Sequence, residues 1–274
     1  MIDYDLIKRA IAEDLAGGAD ITSTSTISDS AISTADFVSR SSGVLAGIEM
    51  VKAVLEEVGL TDINVKKSDG SAIVAGDVLL TVKGNTRAIL LAERTALNFV
   101  GHLSGIASET AMWVAELKGT NCLVRDTRKT TPGYRVLEKY AVRMGGGTNH
   151  RMSLSDAALI KDNHIAAAGG VSQAFSAVRN AYPTAAIEIE VDTLDQLREV
   201  LPLSPDLVLL DNMSPSLCAQ AVTIVSGATK LEASGGITLK NAKAYADSGV
   251  DYIAIGALTH SAPVLDIGLD LRAE

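Results

Sequence analysis

The chain has 274 residues, of which 47% are hydrophobic and 21% are charged, and its formal net charge is −9. This size allows one large core, or a barrel with a smaller attached domain. The acidic balance excludes an extended basic face, so we expect no nucleic-acid partner. Two cysteines are too few for a disulfide framework.

The amino terminus predicts a helix rather than a targeting segment. Residues 2–15 place apolar side chains on one helical face, and Gly17 and Gly18 follow as a stop. Charged residues interrupt this stretch, so it lacks the apolar core of a signal peptide. No run approaches the roughly 20 apolar residues of a membrane span. We therefore expect a cytoplasmic protein without a membrane partner.

The next segments predict a small α+β domain. Gly-rich breaks separate β-like runs at 34–40, 63–67 and 78–83, with a helical run at 49–58. An apolar-periodic stretch at 87–118 then predicts a long helix that leads into a second domain. We assign residues 1–105 to the first domain and expect the tail 264–274 to pack back on it.

Residues 106–263 predict an α/β barrel. Six strand-like runs alternate with helical patterns, and the runs cover residues 122–127, 157–163, 186–191, 206–212, 229–234 and 251–256. Repeated β-then-α units imply parallel strands with right-handed crossovers. Polar residues follow each run, as at the carboxyl-terminal rim of a barrel. Six runs are fewer than the usual eight, and an open doubly wound sheet would give the same alternation.

A cationic segment at 121–165 is the most informative local feature. It carries eight Lys or Arg residues against four acids, although the whole chain is acidic. A cluster of cations in an acidic protein attracts small anions to one cleft. Within it, His150 and Arg151 follow three glycines, which suggests a loop brought close to a ligand. The stripe Arg135, Lys139 and Arg143 is typical of a solvated helix face.

Glycine-rich turns after the last two strands predict a phosphate site. They are SGG at 234–236 and GALTH at 256–260. Backbone N–H groups near a helix N-terminus can hold a phosphate without side-chain charge. The alternative is that these glycines only make tight turns.

Three charged residues at strand ends have more than one interpretation. Glu190 and Asp211 end neighbouring strands and suit two sugar hydroxyls, Mg²⁺ or a developing positive charge. They could instead neutralise nearby lysines. Lys161 could form a Schiff base if it is desolvated. It could equally stay charged and bind a carboxylate or phosphate, which the surplus of cations favours.

A series of motifs resembles the quinolinate phosphoribosyltransferase family. In chain order they include DITS, ERTALNFVGHLSGIA, DTRKTTPG, LEKYAV, GGG followed by NHR, LIKDNH, EASGGI and GALTHS. The resemblance implies an amino-terminal α/β sandwich plus an open barrel of about six parallel strands. It also implies transfer of ribose 5-phosphate from phosphoribosyl pyrophosphate to the ring nitrogen of quinolinate, with Mg²⁺, for NAD synthesis. Tyr134 is a small departure, since an aliphatic residue is usual there.

The resemblance also implies roles for individual residues. The quinolinate carboxylates would be held by Arg128, His150, Arg151 and Lys161, with Arg94 from the partner subunit of a homodimer or higher oligomer with shared active sites. The pyrophosphate would face Lys129. The ribose hydroxyls and Mg²⁺ would face Glu190 and Asp211, and the 5-phosphate would face Ser234, Gly235, Gly256 and His260. The catalytic candidates are Lys129, Lys161, Glu190 and Asp211.

Other functions remain open from the sequence. A paralogue associated with molybdate transporters has the same barrel and a different acceptor, although Arg94, Arg128, His150, Arg151 and Lys161 together favour quinolinate. A Schiff-base lyase using Lys161 and a non-catalytic phosphosugar-binding barrel are the further alternatives.

Overall fold

The computed structural model describes residues 2–273. The helices are α1 Tyr4–Leu15, α2 Ile21–Thr26, α3 Ile48–Glu57, α4 Thr86–Glu116, α5 Arg135–Met144, α6 Asp162–Ala168, α7 Val171–Ala181, α8 Leu194–Val200, α9 Pro215–Val225, α10 Leu239–Asp247 and α11 Ala257–His260. The strands are β1 Ile32–Ser39, β2 Gly43–Val44, β3 Asp62–Val65, β4 Ala72–Ile73, β5 Val78–Asn85, β6 Leu123–Arg125, β7 Ala158–Ile160, β8 Ile187–Val191, β9 Leu207–Asp211, β10 Lys230–Ser234, β11 Tyr252–Ala254 and β12 Ile267–Ala273.

The chain forms two compact units. The second comprises Met112–Arg135 and Gly147–His260, and the first comprises the rest. Residues 136–146, which the sequence placed in the barrel domain, therefore belong to the first unit. Gly145 shows why, because an added Cβ there would lie 2.3 Å from the Ala107 carbonyl oxygen. The end of α5 thus packs closely on α4 through a glycine.

The first unit contains a four-stranded antiparallel sheet in the order β12-β1-β5-β3. Strand β1 alternates buried and less buried residues before its last three residues become buried, as expected for a sheet with one face on a core. The carboxy-terminal strand β12 pairs with β1 over seven residues. The tail segment is therefore an edge strand of the amino-terminal sheet.

Helix α5 is less solvated than its sequence suggests. Its charged stripe was expected to face solvent, but Lys139 is fully buried and so is its neighbour Glu138. The Glu138 carboxylate lies 3.0 Å from Nε2 of His102 on α4. A buried charge needs a partner. The amphipathic pattern alone did not reveal the burial of Lys139 and Glu138, whereas Arg143 of the same stripe is exposed as expected.

The second unit contains six parallel strands in the order β6-β11-β10-β9-β8-β7. This confirms the predicted open α/β barrel of six strands and excludes the regular eight-stranded one. Strand β8 is buried at all five residues, because helices cover one face and the barrel interior covers the other. Thr148 extends the open edge by a parallel bridge to Arg125.

Even the 31-residue α4 is not apolar enough over its length to cross a bilayer, and no other helix within residues 2–273 qualifies.

Candidate active site

The second unit contains a cavity of about 570 Å³ at the carboxyl ends of its strands. This volume is in the range of small-molecule sites. The carboxyl-terminal end of a parallel barrel is where such folds place their chemistry. Nine of the predicted site residues line the cavity: Arg128, Lys129, His150, Arg151, Lys161, Glu190, Asp211, Ser234 and Gly235.

Three predicted residues do not line this cavity. Gly256 and His260 lie beside it, since a Cβ on Gly256 would be 2.9 Å from Lys129 Cδ and 3.4 Å from His260 Nε2. The Thr259 hydroxyl donates to the Lys129 carbonyl at 2.8 Å, which ties the loop after β6 to α11. Arg94 belongs to α4 in the first unit and its side chain is exposed.

Two arginines form the strongest anion site in the cavity. The Nε atoms of Arg128 and Arg151 are both buried without a hydrogen-bond partner in the structure. Burial, followed by the nearby charge of Arg128, lowers the pKa of Arg151 from its usual value. Two adjacent, partly desolvated guanidinium groups repel each other, and a planar carboxylate would relieve that repulsion through bidentate hydrogen bonds.

The loop that carries Arg151 is fixed by a buried aspartate. Asp126 follows β6 and is fully buried. Its carboxylate accepts the backbone N–H of His150 at 2.8 Å and the side-chain amide of Asn149 at 2.5 Å. The Arg151 Nη1 atom also donates to the Ala157 carbonyl at 2.8 Å. The cationic loop is therefore held at both ends before any ligand binds.

The ring of His150 is directed into the barrel interior. Its Nδ1 atom accepts the backbone N–H of Arg151 at 2.8 Å. Its Nε2 atom lies 2.7 Å from Glu188 Oε2 and 3.7 Å from Glu232 Oε1. Both ring nitrogens therefore have protein neighbours, whereas the sequence suggested a direct contact with the ligand.

Opposite charges meet in the middle of the cavity. The Lys161 ammonium lies 2.7 Å from Glu190 Oε2. Strand β9 places Asp211 beside β8, where burial, followed by the Glu190 carboxylate, raises the pKa of Asp211. The Asn212 amide donates to Asp211 Oδ2 at 2.6 Å. Because Lys161 already neutralises Glu190, Asp211 is the carboxylate that best fits a divalent cation.

The far end of the cavity is made by backbone. Ser234 ends β10, and Gly235 and Gly236 follow with φ of +89° and +63°, values that favour glycine. A Cβ on Gly235 would lie 2.1 Å from Asn212 Oδ1 and 3.0 Å from the Asn212 nitrogen. Gly235 is therefore required for two reasons: its positive φ, and the close approach of its backbone to the loop after β9.

Sequence reasoning assigned no role to two buried carboxylates of the barrel. Glu188 on β8 is buried, and Glu232 on β10 is fully buried and lines the cavity. Arg125 Nη1 lies 2.8 Å from Glu232 Oε2. One signal was present, because charged residues inside otherwise apolar parallel strands must point into a barrel that can satisfy them.

The fold and the cavity define an α/β-barrel enzyme that binds anionic substrates, with cations at one end, carboxylates in the middle and a glycine turn at the other end. Residues 20–104 match the family model for the N-terminal domain of quinolinate phosphoribosyl transferase, and residues 106–270 match the model for its C-terminal domain. The chain belongs to the quinolinate phosphoribosyltransferase family, as its motifs indicated.

Individual relatives agree with this assignment. The chain is 49% identical to the carboxylating nicotinate-nucleotide pyrophosphorylase of Mycobacterium leprae over 97% of this chain and 96% of that protein. It is 41% identical to a probable enzyme of the same name from Bacillus subtilis, over 97% and 92%. The crystal structure of NadC from Streptococcus pyogenes superposes with a TM-score of 0.94 at 38% identity, covering 98% of this chain and 96% of that one.

Proposed function

We propose that this protein transfers the phosphoribosyl group of phosphoribosyl pyrophosphate to the ring nitrogen of quinolinate. Pyrophosphate and then CO₂ leave, and nicotinate mononucleotide is formed for NAD synthesis. The observation that carries the proposal is the pair of adjacent guanidinium groups of Arg128 and Arg151, whose buried Nε atoms have no hydrogen-bond partner, in one cavity with Glu190 and Asp211. We expect this reaction to take place in the cytoplasm.

The acceptor binds at the cationic end. Arg128 and Arg151 hold one carboxylate, and Lys161 reaches the other while it remains paired with Glu190. A dicarboxylate and a polyphosphate would repel each other strongly in one pocket, and the clustered cations reduce that repulsion. This arrangement orients the ring nitrogen toward the ribose.

The donor binds across the middle and the glycine end. Ser234 and the backbone at Gly235 face the 5-phosphate, with Gly256 and His260 close by, and Lys129 faces the pyrophosphate. During transfer, the nitrogen lone pair forms the bond to C1 of the ribose while the bond from C1 to the pyrophosphate oxygen breaks and its electrons leave with pyrophosphate. The sugar becomes cation-like, and the carboxylates of Glu190 and Asp211 stabilise that charge.

Mg²⁺ fits this site at Asp211. The pKa of this half-buried carboxyl group is raised, so a bound cation would offset the cost of its charged form. When bound, Mg²⁺ neutralises charge on the pyrophosphate leaving group. Asp211 would hold the metal together with donor oxygens, and Glu190 would complete the acidic side of the ribose pocket.

The second step removes the carboxylate next to the ring nitrogen. The bond between this ring carbon and the carboxylate breaks, the electron pair stays on the carbon, and solvent supplies the proton. The positive charge on the ribosylated nitrogen stabilises that electron pair. In the structure, Nζ of Lys161 is engaged by the Glu190 carboxylate at 2.7 Å, which suits a role in binding anions more than the attack on a carbonyl that the lyase alternative requires.

Product formation tests the proposal. The protein is incubated with quinolinate, phosphoribosyl pyrophosphate and Mg²⁺, and nicotinate mononucleotide, pyrophosphate and CO₂ are quantified. Equal molar amounts of the three products are expected, with loss of turnover when Mg²⁺ is removed by a chelator. Absence of mononucleotide, or turnover only with another acceptor, would overturn it. Reduction with borohydride should trap no carbonyl compound on Lys161.

We also propose that Arg94 completes the acceptor site across a homodimer, alone or within a higher oligomer. Its exposed position on α4 is available to a second subunit. Mixing Arg94→Ala with Lys161→Ala under subunit exchange would then restore one intact pocket in each mixed dimer. A statistical mixture should recover roughly a quarter of wild-type activity. If exchange is verified and no activity returns, Arg94 does not act across the interface.

A further inference from the structure

A largely buried cluster that borders the cavity joins four charged or titratable side chains. His150, Glu188, Glu232 and Arg125 come from the loop after α5 and from strands β8, β10 and β6. Nε2 of His150 lies 2.7 Å from Glu188 Oε2, and Arg125 Nη1 lies 2.8 Å from Glu232 Oε2. The family roles given above leave Glu188, Glu232 and Arg125 without a function.

Hydrogen-bond chemistry determines the state of the His150 ring. The backbone N–H of Arg151 can only donate, so Nδ1 of His150 must be the acceptor and carries no proton. The proton of the neutral ring is then on Nε2, and this N–H group donates a hydrogen bond to the Glu188 carboxylate. The carboxylate thus selects the tautomer that keeps the bond to Arg151.

The same distances argue against a metal ion in the cluster. Zinc would lie about 2.0–2.2 Å from each nitrogen or oxygen ligand, and tetrahedral ligands are then more than about 3 Å apart. The 2.7 Å separation between His150 Nε2 and Glu188 Oε2 is that of a charge-assisted hydrogen bond.

We propose that Glu188 is a positioning residue that acts through His150 to fix Arg151 at the acceptor end. The chain of contacts runs from Glu188 to the His150 ring, from the ring to the Arg151 backbone, and from there to the guanidinium with its buried Nε. Glu232 Oε1 lies 3.7 Å from the same Nε2 atom of His150, and the other carboxylate oxygen of Glu232 pairs with Arg125. This inference rests on the proposed function, because the acceptor is taken to be quinolinate.

The charge of Glu188 has a second effect in the same direction. The Glu188 carboxylate offsets part of the repulsion that Arg128 exerts on the charged Arg151 guanidinium. Removing the carboxylate should therefore leave the guanidinium that meets the acceptor less firmly held. A misplacement of about 1 Å at a binding group can cost on the order of 100-fold.

Steady-state kinetics of Glu188→Ala, Glu188→Gln, His150→Ala and the double alanine variant test the proposal. Glu188→Ala should raise KM for quinolinate by about 10–100-fold, with kcat and KM for phosphoribosyl pyrophosphate changed by less than about threefold. Glu188→Gln should recover most of the loss, since an amide oxygen still accepts from Nε2. The double variant should be no worse than the worse single variant.

Different results separate the possible failures. If Glu188 and His150 act independently of each other, the losses of the two alanine variants should multiply, and the proposal fails. Asp195→Asn on the exposed surface of α8 removes the same charge and should behave as wild type. A wild-type enzyme without turnover would instead refute the proposed function.

A spectroscopic measurement on the wild-type protein needs no variant. Nitrogen NMR of selectively labelled histidine distinguishes a protonated from a bare ring nitrogen. A bare Nδ1 and a protonated Nε2 are expected for His150. A proton on Nδ1 would overturn the inference, because the ring could then not accept the backbone N–H of Arg151.

Discussion

The two ends of the cavity offer anions different surfaces. At one end, which the proposed function assigns to the acceptor, Arg128 and Arg151 lie close together and have buried Nε atoms that lack partners. At the other end, which it assigns to the 5-phosphate, the surface is the backbone of the turn at Gly235 and Gly236. Under the proposed function, side-chain charge at one end and turn conformation at the other would recognise two different anions.

This difference has a physical reason. Two carboxylates on a planar ring have fixed directions, and the fork of an arginine matches them. A phosphate ester is nearly spherical and accepts hydrogen bonds from many directions, so several backbone N–H groups suffice. Truncating an arginine should therefore weaken anion binding at the acceptor end, because charge is lost. At the phosphate end, adding a side chain to a turn glycine should weaken anion binding.

The largest expected effect concerns the acceptor. Nicotinate lacks one of the two carboxylates, so part of the cationic cluster would stay unpaired at a cost on the order of 2–5 kcal/mol. We expect kcat/KM for quinolinate to exceed that for nicotinate by roughly 100–1000-fold. Competition between the two acids for one donor measures the ratio. Comparable kcat/KM values for the two acids would contradict the proposed difference between the two ends, because the cationic cluster would then not recognise both carboxylates.

The next effect concerns the glycine turn. Gly235→Ala places a Cβ 2.1 Å from Asn212 Oδ1 at a residue with φ of +89°. We expect the affinity for phosphoribosyl pyrophosphate to fall by about 100-fold, because the turn must shift. Calorimetry should show quinolinate affinity nearly unchanged. Gly227→Ala serves as the control, since it has a similar φ of +82° but open space around its Cβ.

The smallest effect concerns the charged base of the cavity. Burial, followed by the Glu188 carboxylate, raises the pKa of Glu232 to about 7, above its ordinary value of 4.5. The folded protein therefore holds this proton more tightly than the unfolded chain, and the contribution of Glu232 to stability decreases as pH rises from about 4.5 to about 7.

Glu232→Gln removes that pH dependence. Relative to the variant, the wild-type protein should lose about 1–2 kcal/mol of unfolding free energy between pH 5 and pH 8. Denaturant unfolding of both proteins at the two pH values measures this difference, with Asp195→Asn as the surface control. A difference that does not change with pH would show that Glu232 is ionised throughout.

Much of the fold could be predicted because each element carries a strong local pattern. The limits of α7, α8 and α9 agree with their helical periodicity, and Glu190 and Asp211 lie on neighbouring strands as the β–α alternation required. The remaining features depend on tertiary contacts. The burial of Lys139 and the packing of Gly145 on α4 arise from distant segments.

The site shows the same limit. Charge and strand position were sufficient to predict that Arg128, Arg151 and Lys161 share a cavity. They were not sufficient to predict the direction of the His150 ring, because Glu188 and Arg151 compete with any ligand for its two nitrogens. A sequence shows which residue types are present near a site, but hydrogen-bond direction requires coordinates.

The division of the cavity into an acceptor end and a phosphate end is the central claim, and paired calorimetric titrations test it most directly. Arg128→Ala and Ser234→Ala are each titrated with quinolinate and, separately, with phosphoribosyl pyrophosphate. The titration with phosphoribosyl pyrophosphate also contains benzene-1,2-dicarboxylate, which mimics the acceptor but lacks the reactive nitrogen. The account predicts a crossed result: Arg128→Ala weakens quinolinate binding by at least tenfold more than donor binding, and Ser234→Ala does the reverse. Equal losses of both ligands in both variants would contradict it.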